Sequence, residues 1–340
     1  MQRLNKIYDR VKQFIVENLR FLLLLAGIYL LFNIELPYII YTPGGSINLS
    51  SRIEVENGYE SEGSFEMAYV SVIRGSIPFV LLSFVMPNWD LERKDAVTLE
   101  DETISEMIRR DRIYLEQAVN NATLNAYKKA GKDVEIISTI NHISFITNEA
   151  QTDVLIGDRL LKANGVEINS IEEYRSIVES GNIGDTINLL VLRNNREIEG
   201  TIKIFETDEG LRTGIGIITT HELETNPKLN IRRRRSESGP SGGLMMALGI
   251  YDALISKDIT GGKKIIGTGS ITAEGEVNSV GGIRYKIIGA ERRNADIFIV
   301  PERNYEEANK VKKERDLNIK ILKVTTFTDA VEQLKALITT

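Results

Sequence analysis

The chain has 340 residues, 42% hydrophobic and 26% charged, enough for two or more globular domains with cores of their own, which excludes a disordered chain. A net charge of −6 and a pI near 5.4 exclude nucleic acid as a general partner, because phosphate binding requires a basic face. Cysteine is absent and only His142 and His221 supply imidazole, which removes disulfides, thiol nucleophiles and any His-rich metal centre and fits an exported protein.

Residues Phe21–Tyr41 cover 21 positions, about 30 Å as helix, and Phe21–Phe32 is unbroken apolar, so one bilayer crossing is predicted. No small-residue cleavage site of the Ala-x-Ala kind is present, so the segment reads as an uncleaved signal anchor. Arg3, Lys6, Arg10, Lys12 and Arg20 precede it, whereas only Arg52 falls in the first twenty residues after it. That bias puts the N-terminus in the cytoplasm and everything from about Thr42 outside the cell membrane. Next, Pro43-Gly44-Gly45 makes a turn, and alternation in Ser46–Glu56 and Ser64–Val72 predicts a short antiparallel pair. The apolar run Ile77–Val85 is the following predicted strand, suited to a core or to the outer leaflet. Leu99–Lys129 has helical spacing and dense charge, which predicts a structural helix.

From Lys132 to about Phe205 the texture changes to short strands around Ile156-Gly157-Asp158-Arg159, a helix near Ile171–Val178, and two strands joined by Asn194-Asn195. This stretch of about 75 residues resembles a PDZ domain, which implies binding of extended polypeptide by strand addition. The glycine-rich carboxylate loop of that family is not apparent in Val134–Thr147, and His142 there reads as a strand residue.

Ser238-Gly239-Pro240-Ser241-Gly242-Gly243 runs straight into Leu244–Tyr251, whose apolar spacing is helical, so Ser241 sits where a tight turn meets a helix N-terminus. A nucleophile fits that position, as does a plain glycine-rich loop before a core helix. Downstream come Lys264–Ile271, a buried-strand pattern containing Gly267-Thr268-Gly269, and Gly281-Gly282-Ile283-Arg284-Tyr285-Lys286, which opens an apolar helix. A lysine in such a helix is either solvated or drawn into an apolar pocket, where desolvation lowers its pKa and makes it a general base.

Gly-Pro-Ser-Gly-Gly, Gly-Thr-Gly-Ser-Ile 27 residues beyond the serine and Gly-Gly-x-x-x-Lys 18 residues beyond that threonine together resemble the proteolytic domain of the Lon family across about Gly214–Pro301. The resemblance implies Ser241 as nucleophile, Lys286 as base and Thr268 as the residue that helps hold the lysine. Gly239, Pro240 and Gly242 would shape the loop whose backbone N–H groups form an oxyanion hole. His221 then has no catalytic part, although a Ser-His hydrolase using it is the alternative pairing. Anchor, PDZ-like segment and Lon-type peptidase in this order look like the small anchored Lon-like peptidases of Gram-positive bacteria. In that comparison Gly44-Gly45 and Gly63-Ser64-Phe65 match early strands of the peptidase fold, which makes the PDZ-like unit an insertion. No Gly-x-x-x-x-Gly-Lys-Ser/Thr phosphate loop is present, so ATP is not implied. Arg232-Arg233-Arg234-Arg235 departs from the family pattern, either as a solvated face or as a draw for acidic peptides or lipid head groups.

The fold class is therefore α+β, with a single N-terminal transmembrane helix, a PDZ-like β-rich domain and a Lon-type α/β proteolytic domain. The boundaries are a cytoplasmic tail at 1–20, the signal anchor at 21–41, extracellular strands and helix at 42–130, the PDZ-like domain at 131–206 and the proteolytic domain at 207–340. The implied activity is ATP-independent endopeptidase action on exported peptides or short membrane-associated proteins, with no cofactor or metal. The rival is a proteolytically inactive anchored PDZ scaffold. The partners implied are polypeptide substrates and the membrane, without nucleic acid, and ring assembly in the Lon family implies self-association into a homo-oligomer.

Overall fold

The computed structural model describes residues 2–99, 102–234 and 236–339; Met1, Glu100, Asp101, Arg235 and Thr340, which fall within the tail, helix, arginine run and C-terminus read above, lie outside the described residues. The chain divides into two compact units, one formed by the residues up to Thr42 with Ser71–Val97, the other by Pro43–Val70 with the residues from Thr98 onward.

In the smaller unit α1 (Gln2–Glu17) and α2 (Leu19–Asn33) meet at a 74° bend. From Phe21 to Phe32 α2 is apolar on every side, and it buries no residue in the protein. The helix expected over 21–41 stops at Asn33: Pro37 has no N–H for a continuing helix and drives the residue before it toward extended backbone, so β1 (Glu35–Asn48) begins at Glu35. Fifteen helical residues rise about 22 Å, short of the roughly 30 Å hydrocarbon core. Among the described residues no single helix is long and apolar enough to cross a membrane, but the α1–α2 pair meets the test together by length and composition. Pro43-Gly44-Gly45 lie inside β1 rather than in a turn, and the strand expected over Ser46–Glu56 breaks at Asn48; its second piece, β2 (Ile53–Val55), pairs with Leu229–Ile231 rather than with β3 (Ser64–Ser76). Ile77–Val85 is not a strand but contains helix α3 (Ile77–Ser83), started by Pro78 in the first turn, where its missing N–H costs nothing. A short apolar run carries no periodicity that separates strand from helix. β4 (Asp90–Arg93) then pairs antiparallel with Tyr38–Tyr41 of β1.

The larger unit opens on α4 (Ile104–Ala130), fixed at its start by a reciprocal Thr103–Glu106 capping box and ended by Gly131 in the left-handed region (φ 64°). The PDZ-like part follows: β5 (Asp133–Ile146), β6 (Arg159–Ala163), β7 (Val166–Glu167), α5 (Ile171–Glu179), β8 (Thr186–Arg193), β9 (Arg196–Lys203), β10 (Phe205–Thr207), β11 (Gly210–Arg212) and β12 (Ile215–Asn226). Its sheet runs β12-β5-β6-β8-β9, and Asn194 and Asn195, both at positive φ, turn the β8–β9 hairpin. Ile143, Leu160, Tyr174, Ile187, Val191 and Ile202 build a core separate from the rest of the unit.

Then come β13 (Leu229–Ile231), paired with β2, α6 (Gly243–Leu254), β14 (Lys264–Gly267), β15 (Ser270–Ile271), β16 (Val277–Asn278), α7 (Ile283–Glu291), β17 (Ile297–Pro301), α8 (Tyr305–Glu314), β18 (Lys320–Val324) and α9 (Phe327–Thr339). β18, β17, β14 and the Ser64–Met67 part of β3 lie parallel in that order. Both faces of this sheet are covered, so neighbouring residues serve different cores: Ile265 packs with Leu244, Leu248 and Phe327, while Ile266 packs with Ile287 and Phe298. Leu49 and Phe65, together with Leu115, Ala118 and Ala122 of α4, belong to the same core as α6. Gly44 has no room for a side chain, since a Cβ there would collide with the Tyr69 carbonyl, and its own carbonyl lies against Gly289 of α7.

Asn120 joins the PDZ-like sheet to α4: its amide donates to the His221 carbonyl at 2.9 Å and its oxygen accepts the His221 N–H at 2.7 Å. Asn120→Ala leaves two backbone groups without partners and should cost about 1–3 kcal/mol, read as a lower urea midpoint with an unchanged slope.

Candidate active site

The turn before α6 owes its shape to its small residues. Gly239 is held at φ 85°, a conformation that a side chain strains, and donates its N–H to the Asp111 carbonyl at 2.8 Å. Gly242 lies against Met67, where a Cβ would come within 2.7 Å of the sulfur, and the Pro240 carbonyl accepts the Gly243 N–H at 3.1 Å. This turn leaves Ser241 half-buried just ahead of α6. Among the described residues the N–H groups of Ser241 and Gly242 make no hydrogen bond. Two donors beside the positive end of a helix dipole are what an oxyanion needs.

Ser241, Thr268 and Lys286 come together. The Ser241 carbonyl accepts the Gly269 N–H at 2.8 Å and the Thr268 hydroxyl at 2.9 Å, and Lys286 Nζ donates to Thr268 Oγ1 at 3.0 Å. Thr268 is fully buried and its N–H is fixed to the Ile299 carbonyl at 3.0 Å, so its hydroxyl has one place to point. Lys286 stands on α7 with only 3% of its surface exposed, next to Ile287 of the second core. Burial takes its pKa down from 10.5 to about 8, with the Glu307 carboxylate pulling weakly the other way. An amine in that range spends an appreciable part of its time neutral, with a lone pair to accept a proton.

Neither histidine joins this group. His142 is buried on β5, bonded at 3.0 Å to Thr220 Oγ1, and burial with Arg159 nearby pushes its pKa down to about 4. His221 lies on β12 beside Thr139 Oγ1 at 3.4 Å. The arginine run is partly engaged: Arg232 pairs with Glu54 at 2.8 Å, and Glu237, two residues before Gly239, pairs with Arg52 at 3.0 Å, while Arg233 and Arg234 are exposed and Arg235 lies outside the described residues. Asp111, missed by the sequence reading, holds the turn before Ser241 through its main-chain oxygen, a contact that any residue type could make and that leaves no mark in composition.

Residues 235–338 match the family described as Lon protease (S16) C-terminal proteolytic domain. The C-terminal part of the chain is thus similar to the Lon proteolytic domain. Residues 119–204 match the PDZ domain family. The chain is 26% identical over 251 residues to a Lon protease of Campylobacter jejuni, covering 72% of this chain and 29% of that protein. It is 26% identical over 208 residues to a Lon protease of Clostridioides difficile, covering 60% and 23%. A Lon protease of Fusobacterium nucleatum is 33% identical over 93 residues, 27% of this chain and 12% of that protein. The chain thus spans less than a third of the length of these relatives. Among solved structures it is similar to the PDZ domain of the SdrC-like protein from Listeria monocytogenes, with a TM-score of 0.21 and 17% identity, over 23% of this chain and 86% of that one. The similarity to Lon proteases centres on the part of the chain that holds Ser241, Thr268 and Lys286.

A lysine whose folded pKa lies below its unfolded value binds fewer protons folded than unfolded, so stability rises with pH between about 8 and 10.5. Lys286→Met removes the penalty on the buried cation. Its thermal midpoint at pH 7 should exceed that of the wild type, and the gap should close as pH approaches 10.

Proposed function

We propose that the chain is a membrane-anchored, ATP-independent serine endopeptidase that cleaves exported peptides or short membrane-associated proteins through an acyl-enzyme on Ser241. The observation that carries the proposal is the buried Lys286 amine bonded to Thr268, whose hydroxyl is bonded to the Ser241 carbonyl. Neutral Lys286 takes the proton of Ser241 Oγ as that oxygen attacks the substrate carbonyl carbon. The developing oxyanion is met by the Ser241 and Gly242 N–H groups. Lys286 then gives its proton to the leaving amine, and water, activated by the same lysine, hydrolyses the ester.

The anchor is supported by the apolar, uncovered surface of α2 from Phe21 to Phe32, and the topology by the basic residues that precede it. ATP independence is supported by the missing phosphate loop, so substrates must arrive extended. The PDZ-like part suits capture of such a chain. β12 is an edge strand, covered at Thr219–His221 by Gln117 and Asn120, and its edge is where a peptide strand would add. Self-association into a ring is part of the same proposal.

The full chain in phospholipid vesicles, supplied with an unfolded polypeptide and no nucleotide, should cleave it. Ser241→Ala and Lys286→Ala should each lose at least about 10³-fold in rate, while His221→Ala keeps the wild-type rate. A wild type as inert as both variants would point instead to the anchored scaffold.

A further inference from the structure

Residues 77–86 of the smaller unit form an apolar surface that neither the mechanism nor the anchor uses. Ile77-Pro78-Phe79-Val80-Leu81-Leu82-Ser83-Phe84-Val85-Met86 contains no charge, and its outward side chains are large: Leu81 is 64% exposed and Phe84 and Val85 are each 75% exposed. A contiguous patch of this kind on a soluble surface marks a contact with something apolar.

What covers it follows from its neighbour. Phe79 of α3 meets Phe32, in the last turn of α2, edge to face with ring centroids 5.9 Å apart. Just past that end of α2, Glu35 is paired with Arg74 at 2.9 Å and with Lys94 at 3.4 Å, a charged group suited to the head-group level. α2 alone is about 8 Å shorter than a hydrocarbon core. An apolar element packed against its C-terminal end supplies surface where the helix runs out, which is one way a short span is accommodated.

We propose that α3 and the following Phe84–Met86 tip insert into the leaflet at the C-terminal end of α2, giving the protein a second lipid contact. The proposal rests on the membrane-anchored reading of α2. It makes α2 and α3 one lipid-embedded pair held by the Phe32–Phe79 contact.

The native chain has no cysteine, so a single introduced one takes an environment-sensitive dye at one position only. Full-length Phe84→Cys and Val85→Cys are labelled and reconstituted in phosphatidylcholine–phosphatidylglycerol vesicles with plain or brominated acyl chains. Leu25→Cys in α2 serves as the in-span reference and the exposed Glu60→Cys as the aqueous reference. Dye at 84 and 85 should be quenched by brominated lipid several-fold more than at 60, close to the value at 25. Quenching at 25 but not at 84 or 85 overturns the insertion while leaving the anchor, and assigns the patch to a protein partner or a second copy. No quenching at 25 overturns the anchor and the insertion with it.

Discussion

The hydrogen bond from Lys286 Nζ to Thr268 Oγ1 is meaningful only because both ends are dry. In water a lysine bonded to a hydroxyl stays a cation at neutral pH. Here burial lowers its pKa to about 8, and that burial comes from α7 packing on the sheet through Ile287, Ile288 and Ile283. Thr268 belongs to the turn after β14, the strand between β3 and β17, and its hydroxyl also reaches the Ser241 carbonyl. One sheet therefore sets the position of the threonine, the helix that carries the lysine and the turn that carries the serine.

That sheet is not the product of the C-terminal third alone. β3, from the first quarter of the chain, is the parallel neighbour of β14, and Met67 on it backs the Gly242 position. α4 contributes Leu115, Ala118 and Ala122 to the core beneath α6 and offers the Asp111 carbonyl to Gly239. The PDZ-like sheet leaves the chain after α4 and returns at β13, with its own core and with Asn120 fixing its edge strand. That edge strand is hydrogen-bonded directly to α4, whose Asp111 carbonyl holds Gly239 in the turn before Ser241.

Elements with strong periodicity were legible: α6, the hydrophobic β14 and α7 follow from apolar spacing, and the α5 helix and the β8–β9 hairpin from their bounding turns. The grouping of Ser241, Thr268 and Lys286 was legible only through a family resemblance, because nothing in local spacing says that residues 27 and 18 positions apart share a pocket. The misassigned ends of the 21–41 helix and the 77–85 strand have a common cause. Residues 34–41 and 77–85 are mostly apolar, with Glu35 and Ser83 the polar exceptions, so hydrophobicity alone could not separate helix from strand; Pro37 and Pro78 decided both. The arginine run looked like an isolated anomaly because Glu54 and Arg52, which engage Arg232 and Glu237, are about 180 residues away in sequence.

The most direct test of the account is the pH dependence of Ser241 acylation. Wild-type protein in vesicles is mixed with excess activated peptide ester at successive pH values, and the acyl adduct is located and counted by mass spectrometry. If buried Lys286 is the base, the adduct forms on Ser241 and its rate climbs with pH and levels off above about 8, where the amine is neutral. A rate that stays flat across that range, or an adduct on another residue, would contradict it.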